Sequence, residues 1–367
     1  MRGSFMLFLV IFLTIIGSAA FYMASRTAFV VGSGRWWFFA GYFILAFVSL
    51  GAMMAVRNYY PTLHPFLVIL SVMVGVLLYM LIVLLLTDAV NIFAHFSPKT
   101  YGMIVGIVTV LISVYGILNT LYPRLKTVEI EVPKLTEPVQ IAQLSDVHLG
   151  HFRGERNLRR IVRLVNKTDA QMVVITGDLF ESFYNLKPET LRPLAELKVP
   201  VFFVSGNHDM YVDIDSVKQL VRDAGVNVLE NCMAECCGIQ LVGLDYMRPD
   251  DHTPDHMHAG VGFRTIENTL PTISLDSAKP SILLHHNPVG AEYAEKAGID
   301  IYLAGHTHGG QLFPVTLIND RIFNFNRGLY HHGNLQIYTS EGSGTFGPPM
   351  RVGTRSEVTL IRLKPEK

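Results

Sequence analysis

Charge is scarce in this chain. Lys, Arg, Asp and Glu make up 16% of its 367 residues, against 50% apolar residues, a balance that excludes an ordinary soluble protein. Acidic side chains are nearly missing from the first 126 positions, which hold seven Lys and Arg but only Asp88. The remainder carries 23 basic and 29 acidic residues and 12 of the 14 histidines. A domain with that negative surplus is a poor sequence-independent nucleic-acid binder, which needs the opposite sign. No nucleic-acid partner is expected. Cysteine is scarce too, with Cys232, Cys236 and Cys237 confined to one cluster. Three clustered thiols exclude a disulfide framework across the fold and favour a reducing compartment. A Cys-x3-Cys-Cys metal knot would lack companion ligands at regular spacing. No repeat of solenoid length is visible.

What the N-terminal third has is apolar length. Phe5 to Ala24, Trp36–Val56, Pro65–Thr87 and Tyr101–Tyr122 are each long enough to cross a hydrocarbon core of ~30 Å. They predict a four-helix transmembrane anchor over residues 1–122. Trp36, Trp37, Tyr59, Tyr60, Tyr101 and Tyr122 fall near span ends, where amphipathic rings anchor at the interface. Arg26 and Arg35, Arg57 to His64, and Asp88 to Lys99 are read as loops, which leaves no acidic residue or lysine inside a span. Without buried charge, an anchor is favoured over a transport role. Arg2, an apolar run and Ser18-Ala19-Ala20 also fit a cleavable signal peptide, and either choice leaves the C-terminal part on one side. Arg2, Arg57, Arg124 and Lys126 against Arg26, Arg35 and Lys99 place that side in the cytoplasm.

Residues 123–138 read as a proline-punctuated linker, with an edge strand suggested by the alternation Val128-Glu129-Ile130-Glu131-Val132. A second domain is expected over 139–365. Apolar strands recur at Gln140–Leu144, Met172–Thr176, Val199–Val204, Ile239–Leu244, Ser281–Leu284, Ile299–Ala304, Leu335–Thr339 and Val358–Leu363. Helical patterns at Glu155–Lys167, Glu189–Leu197, Ile214–Ala224 and Ala291–Ala297 separate several of them, which argues an α/β architecture.

The chemistry lies at the strand ends. Gly305-His306-Thr307-His308-Gly309-Gly310-Gln311 follows a buried strand, and glycines on either side let two imidazoles converge. Taken alone, such a pair is usually two loop histidines. It is not alone. Ser145-Asp146-Val147-His148, Gly177-Asp178, Ser205-Gly206-Asn207-His208-Asp209 and His285-His286-Asn287-Pro288 close four other strands. A single Asp or Asn after a strand is a turn former or helix cap. In open α/β sheets, however, sites gather beyond the C-terminal strand ends, and five such ends in order point to a metal site.

Asp-x-His, Gly-Asp, Gly-Asn-His-Asp, a single His before Asn-Pro, and Gly-His-x-His in that order resemble the calcineurin-like metallophosphoesterases, over about Pro138 to Lys364. Gly-His-Thr-His-Gly-Gly-Gln, Pro348-Pro349-Met350-Arg351 and Glu357-Val358-Thr359-Leu360 look more like a bacterial, membrane-linked branch that includes phosphodiesterases and UDP-2,3-diacylglucosamine pyrophosphatases. The resemblance implies a β-sandwich of two mixed sheets flanked by helices and two divalent metal ions. Asp146, His148 and His308 would hold one metal, Asn207, His286 and His306 the other, and Asp178 would bridge them. The family pattern selects His286 over His285. Where the Gly-Asp motif often continues to an Asp, this chain has Glu181, read as lying just outside the ligands.

Two such ions, roughly 3.5–4 Å apart, clamp a hydroxide nucleophile and the phosphoryl oxygens. Mixed N and O ligands suit Mn first, then Fe or Zn. His208, between Asn207 and Asp209, is the candidate catalytic acid, oriented by Asp209. The polar stretch Met247 to His258 reads as either a surface loop or a flap near the metals. Phe323, Phe325 and Tyr330 read as core. The expected protein is a phosphohydrolase of the bacterial cytoplasmic membrane, cleaving a phosphodiester or pyrophosphate of a lipid-linked substrate. A general or cyclic-nucleotide phosphodiesterase is the alternative, and a non-catalytic metal-binding scaffold the third reading. Oligomeric state is not written in the sequence.

Overall fold

Side chains that are apolar around the whole circumference make the N-terminal third helical. In the computed structural model, which describes residues 2–56, 64–253 and 264–366, α1 (Arg2–Val31), α2 (Trp36–Val56), α3 (His64–Ala94) and α4 (Pro98–Leu121) follow one another. Within the four described helices proline occurs in first turns, at Pro65 and Pro98, where its missing N–H costs nothing. Three stretches, Val10–Val31, Val68–Ala94 and Pro98–Leu121, are long and apolar enough to cross a membrane, while the apolar part of α2, Trp36–Ala52, is shorter. Arg57, Tyr59 and Tyr60 lie outside the described residues.

The sequence reading is corrected at three charges. Lys99, taken as a loop residue, lies in the first turn of α4, and Arg26 and Asp88 lie within α1 and α3, because both helices run well past the apolar runs that marked them. The last two neutralise each other, with Arg26 Nη2 2.7 Å from Asp88 Oδ2, and Tyr101 donates to Asp88 Oδ1 at 2.8 Å. A charge within a helical bundle is tolerated when it is paired in this way.

The chain forms two compact units, one of Met1–Leu118 with Gly347–Met350, the other of Asn119–Phe346 with Arg351–Lys367. The second begins with β1 (Arg124–Val132), β2 (Val139–Leu144), α5 (Glu155–Val165), β3 (Met172–Thr176), α6 (Pro188–Leu191) and β4 (Val201–Val204). It continues through α7 (Asn207–Asp223), β5 (Asn227–Val228), β6 (Cys232–Cys236), β7 (Ile239–Gly243), α8 (Ile266–Thr269) and β8 (Ser281–Leu284). The last elements are α9 (Ala291–Lys296), β9 (Ile301–Ala304), α10 (Val315–Ile322), β10 (Gly328–His332), β11 (Leu335–Thr339) and β12 (Glu357–Pro365).

Two six-stranded mixed sheets result, in the orders β1-β12-β2-β3-β4-β5 and β10-β11-β9-β8-β7-β6. The stretch read as a linker supplies β1, an edge strand paired in parallel with β12 from Arg124↔Glu357 to Val132↔Pro365. Strand alternation explains why both faces are apolar. In β3, Met172 and Val174 join the cluster between the sheets, while Val173 and Ile175 pack under α5 and α7. In β9, Ile301 and Leu303 point inward, and Tyr302 and Ala304 face α9. Each buried Leu, Ile or Val contributes about 1.5–3 kcal/mol, so a few slipped registers would unfold either layer. The helix expected at Glu189–Leu197 is instead α6 followed by a 3₁₀ turn, since Pro193 removes a helical donor.

Candidate metal centre

Strands β2, β3 and β4 run parallel in one sheet, and β7, β8 and β9 in the other. Their C-terminal ends therefore deliver side chains to common edges. Asp146 and His148 leave β2, Asp178 leaves β3, Asn207 and His208 open α7 after β4, His286 follows β8, and His306 and His308 follow β9. Asp146, His148, Asp178, His306 and His308 all adopt positive φ, between 51° and 72°. Left-handed backbone in a non-glycine residue costs about 1–3 kcal/mol and persists only where the surroundings enforce it. Five such residues in one cluster mark the place where the fold holds strain.

The side chains converge. Asp146, His148 and His308 offer ligand atoms within 4.8 Å of one another, as do Asp178, His286 and His306. A third group, His148, Asp178 and His208, links the two. Asn207 is buried, and its Oδ1 finds no hydrogen-bond partner among the described residues. A buried carbonyl oxygen left bare costs free energy unless something else meets it, and a cation would. The His286 ring is set by Nδ1 donating to the Thr176 carbonyl at 2.8 Å, which leaves Nε2 turned to the site, 3.0 Å from Asp178 Oδ2. That is how a metal-ligating imidazole is normally oriented. The donor set fits two divalent ions.

Backbone and neighbours hold the carboxylates. His306 N donates to both oxygens of Asp146 at 3.1 Å, and Ser145 Oγ to Oδ2 at 2.6 Å. His208 N donates to Asp178 Oδ1 at 2.8 Å. Burial would raise both acids, yet the imidazoles around them, His308 at Asp146 and His286 at Asp178, hold them well below the usual carboxylate range. Burial would likewise lower His286, but the Asp178 charge and hydrogen bond outweigh it and lift the ring to about 9. His308 is lowered to about 4, chiefly by burial, with Arg351 contributing. His285 is satisfied elsewhere, between Met247 N, the Asn287 carbonyl and Tyr302 Oη, so it faces away from the cluster.

Residues 139–310 match the calcineurin-like phosphoesterase family. Over 265 residues the chain is 31% identical to an uncharacterized metallophosphoesterase of Aquifex aeolicus, covering 70% of this chain and 98% of that protein. The chain belongs to the calcineurin-like phosphoesterases. It is 35% identical over 276 residues to the transmembrane protein with metallophosphoesterase domain of Danio rerio, across 70% of this chain and 61% of that one. It is 34% identical over 251 residues to an uncharacterized metallophosphoesterase of Helicobacter pylori, across 66% and 65%. The chain thus spans just under two thirds of these two relatives.

The Asp209 carboxylate, expected to orient His208, is engaged by backbone amides. Its Oδ1 accepts from Phe180 N and its Oδ2 from Gly206 N, each at 2.9 Å, so it closes the first turn of α7 and ties that turn to the segment after β3. The spacing explains this, since a residue three positions into a helix reaches back to the cap and not to its neighbour's ring. Burial, with Asp178 next, raises Asp209 to about 7. Glu181 is the carboxylate at His208, with Oε2 2.5 Å from Nδ1.

Sequence reasoning missed two buried cations near the centre. Arg351 donates to the carbonyls of Gly344 and Glu341 and lies 2.9 Å from His308 Nδ1, and burial lowers it to about 10. Its only signal was the Pro-Pro-Met-Arg run. Arg153 donates Nη1 to Thr345 Oγ1 at 2.6 Å, with burial lowering it to about 9. Among the aromatics, Phe325 and Tyr330 do pack on the outer core of the second sheet, but Phe323 stands edge-on to His306 at 6.0 Å. Tyr246, just before the His-rich segment, lies 6.0 Å from the His286 ring. In that segment Asp250 binds the His252 and Thr253 amides, while Pro254 to His258 lie outside the described residues.

Proposed function

We propose that this chain is a membrane-anchored, dinuclear metal-dependent phosphohydrolase. The observation that carries the reading is the pair of linked ligand groups with the bare Asn207 oxygen beside them. One metal would take Asp146, His148 and His308, the other Asn207, His286 and His306, with Asp178 shared. Bound there, two divalent ions would withdraw charge from a phosphoester and acidify water. Mixed nitrogen and oxygen donors favour Mn, with Fe or Zn next.

The remaining work falls to the protein. His208 would donate a proton to the leaving oxygen, with Glu181 holding its ring by Nδ1 and leaving Nε2 to the substrate. Burial raises Glu181, but His208 and His148 together hold it well below the usual carboxylate range, so it stays an acceptor. Asp209 would position, through the α7 cap, and take no part in proton transfer.

The substrate is proposed to be a lipid-linked phosphodiester or pyrophosphate of the UDP-2,3-diacylglucosamine kind. Three helices fit to cross a membrane support this, because a tethered site meets amphiphiles already gathered at the bilayer. The catalytic unit is assigned to the cytoplasmic side of a bacterial cytoplasmic membrane. The test uses the purified full chain with Mn, assayed side by side on bis-p-nitrophenyl phosphate and UDP-2,3-diacylglucosamine. Turnover of the lipid in preference supports the reading, and turnover of the soluble diester alone supports a general or cyclic-nucleotide phosphodiesterase. Inactivity on both with metal bound indicates a scaffold. Labelling of exposed Cys232 in intact cells by an impermeant thiol reagent would overturn the cytoplasmic placement.

A further inference from the structure

Helix α10 is turned inside out. Its inner side is polar, with Thr316 buried and Asn319 Nδ2 donating to the Thr307 carbonyl at 3.1 Å and to Asn326 Oδ1 at 2.9 Å. Its outer side is apolar, with Leu317 51%, Ile318 53% and Ile322 65% exposed. Phe313 precedes it and Phe346 lies in the loop after β11, both exposed. A surface helix of a globular domain shows the reverse arrangement. The patch also borders the metal centre on two sides, since Phe323 contacts His306 and the Phe346 ring lies 5.1 Å from His308.

We propose that this face rests in the interfacial layer of the bilayer, so that the mouth of the metal centre opens among lipid headgroups. Contiguous exposed apolar surface marks an interaction site. The charges around it select the partner. Residues 311–333 carry Arg321 and Arg327 against a single acid, Asp320, which lies 3.7 Å from Arg327 and leaves Arg321 as surplus, and exposed Arg355 follows soon after Gly353, which abuts Phe313 and Thr316. Apolar residues inside a basic rim match the boundary between acyl chains and anionic headgroups. Covalent geometry adds a short leash, because only Tyr122 and Pro123 separate α4 from β1, roughly 10 Å at full extension. The inference rests on the N-terminal helices crossing a bilayer, and it is independent of which phosphoester is cleaved.

The test is spin-label accessibility in the full chain, reconstituted in phosphatidylcholine–phosphatidylglycerol vesicles. Cys232, Cys236 and Cys237 are first replaced by Ser, and Ile318→Cys and Ile322→Cys are labelled separately. Ile107→Cys on α4 reports the membrane and Glu189→Cys on α6 reports water. The expected result is that labels at 318 and 322 collide with oxygen more than with an aqueous nickel chelate, as at 107 and opposite to 189. Nickel access at 318 and 322 with oxygen access kept at 107 overturns the proposal while the membrane reading stands. Access to neither collider, with dipolar broadening lost on dilution by unlabelled protein, assigns the face to a second copy and overturns it too. Because two independent sites are read, a misfolded single variant does not decide the outcome.

Discussion

Oε2 of Glu181 lies 2.5 Å from Nδ1 of His208 and, on its other side, 2.7 Å from Nδ1 of His148. One carboxylate thus braces a proposed ligand and the proposed acid together. Removing its charge withdraws support for a protonated His208. Glu181→Gln is expected to lower kcat by about 10–100-fold, the usual effect of removing such a brace, and to move the alkaline limb of the kcat profile to lower pH. Asp209→Asn is expected to lower thermal stability without moving that limb. If the two variants exchanged these behaviours, Asp209 would be the orienting group after all.

His208→Ala separates chemistry from binding. A positioned acid contributes about 10²–10⁴-fold, so kcat should fall by that order while metal content, read by plasma emission spectrometry, stays near the parent value. Equal loss of metal and rate would make His208 a ligand, which its place in the group with His148 and Asp178 allows sterically.

Much of this arrangement is legible in the residues. The apolar strands of both sheets and the polar strand ends are local signals, and each expected ligand stands where its strand ends. Partnerships were less legible. Asp209 and Glu181 differ by a contact that depends on the turn after β4 crossing the one after β3, and no spacing in the sequence encodes that crossing. Arg351 is 43 positions from the His308 ring it touches. The inverted face of α10 was invisible for a different reason, since an amphipathic period reveals that a helix has two faces and not which one is turned to water.

Gly206 is where the turn after β4 approaches Asp178, the carboxylate proposed to be shared by the two metals. A Cβ there would run into Asp178 Oδ1 and its backbone nitrogen. Gly206→Ala should therefore displace Asp178 and remove both metal and activity while the far-ultraviolet circular dichroism persists. Gly225→Ala is the control. Gly225 has φ +81° but open space around it, so only backbone strain of about 1–2 kcal/mol applies. Metal retained by Gly206→Ala would remove Asp178 from the shared position.

His286 links metal and proton. In chelated protein its pKa of about 9 exceeds the unfolded value of about 6.5. A raised basic group stabilises fully below the unfolded value and loses that contribution as pH rises through the folded one. The Tm of chelated protein should therefore fall between about pH 6.5 and 9. Metal-loaded protein should lack that slope, because the ligated ring is held neutral, and loading near about pH 8 should release protons. Titration calorimetry in buffers of different ionisation enthalpy measures the release. Identical apparent enthalpies in all buffers would show that His286 holds no proton to displace.

Arg351 provides the strictest test of how the centre is braced. Among the described residues its guanidinium is buried without a carboxylate in hydrogen-bond contact; it donates to the Gly344 and Glu341 carbonyls and to Thr354 Oγ1, and lies 2.9 Å from His308 Nδ1. Lysine keeps the charge but cannot reproduce the planar fork, and each acceptor left bare costs about 1–3 kcal/mol. Arg351→Lys is expected to lower Tm and to loosen the loop after β11, with loss of the metal that His308 is proposed to hold before the other. Stepwise metal release during chelator titration would read this directly. If Arg351→Lys loses both metals together at parental stability, Arg351 acts on the whole site and not through His308.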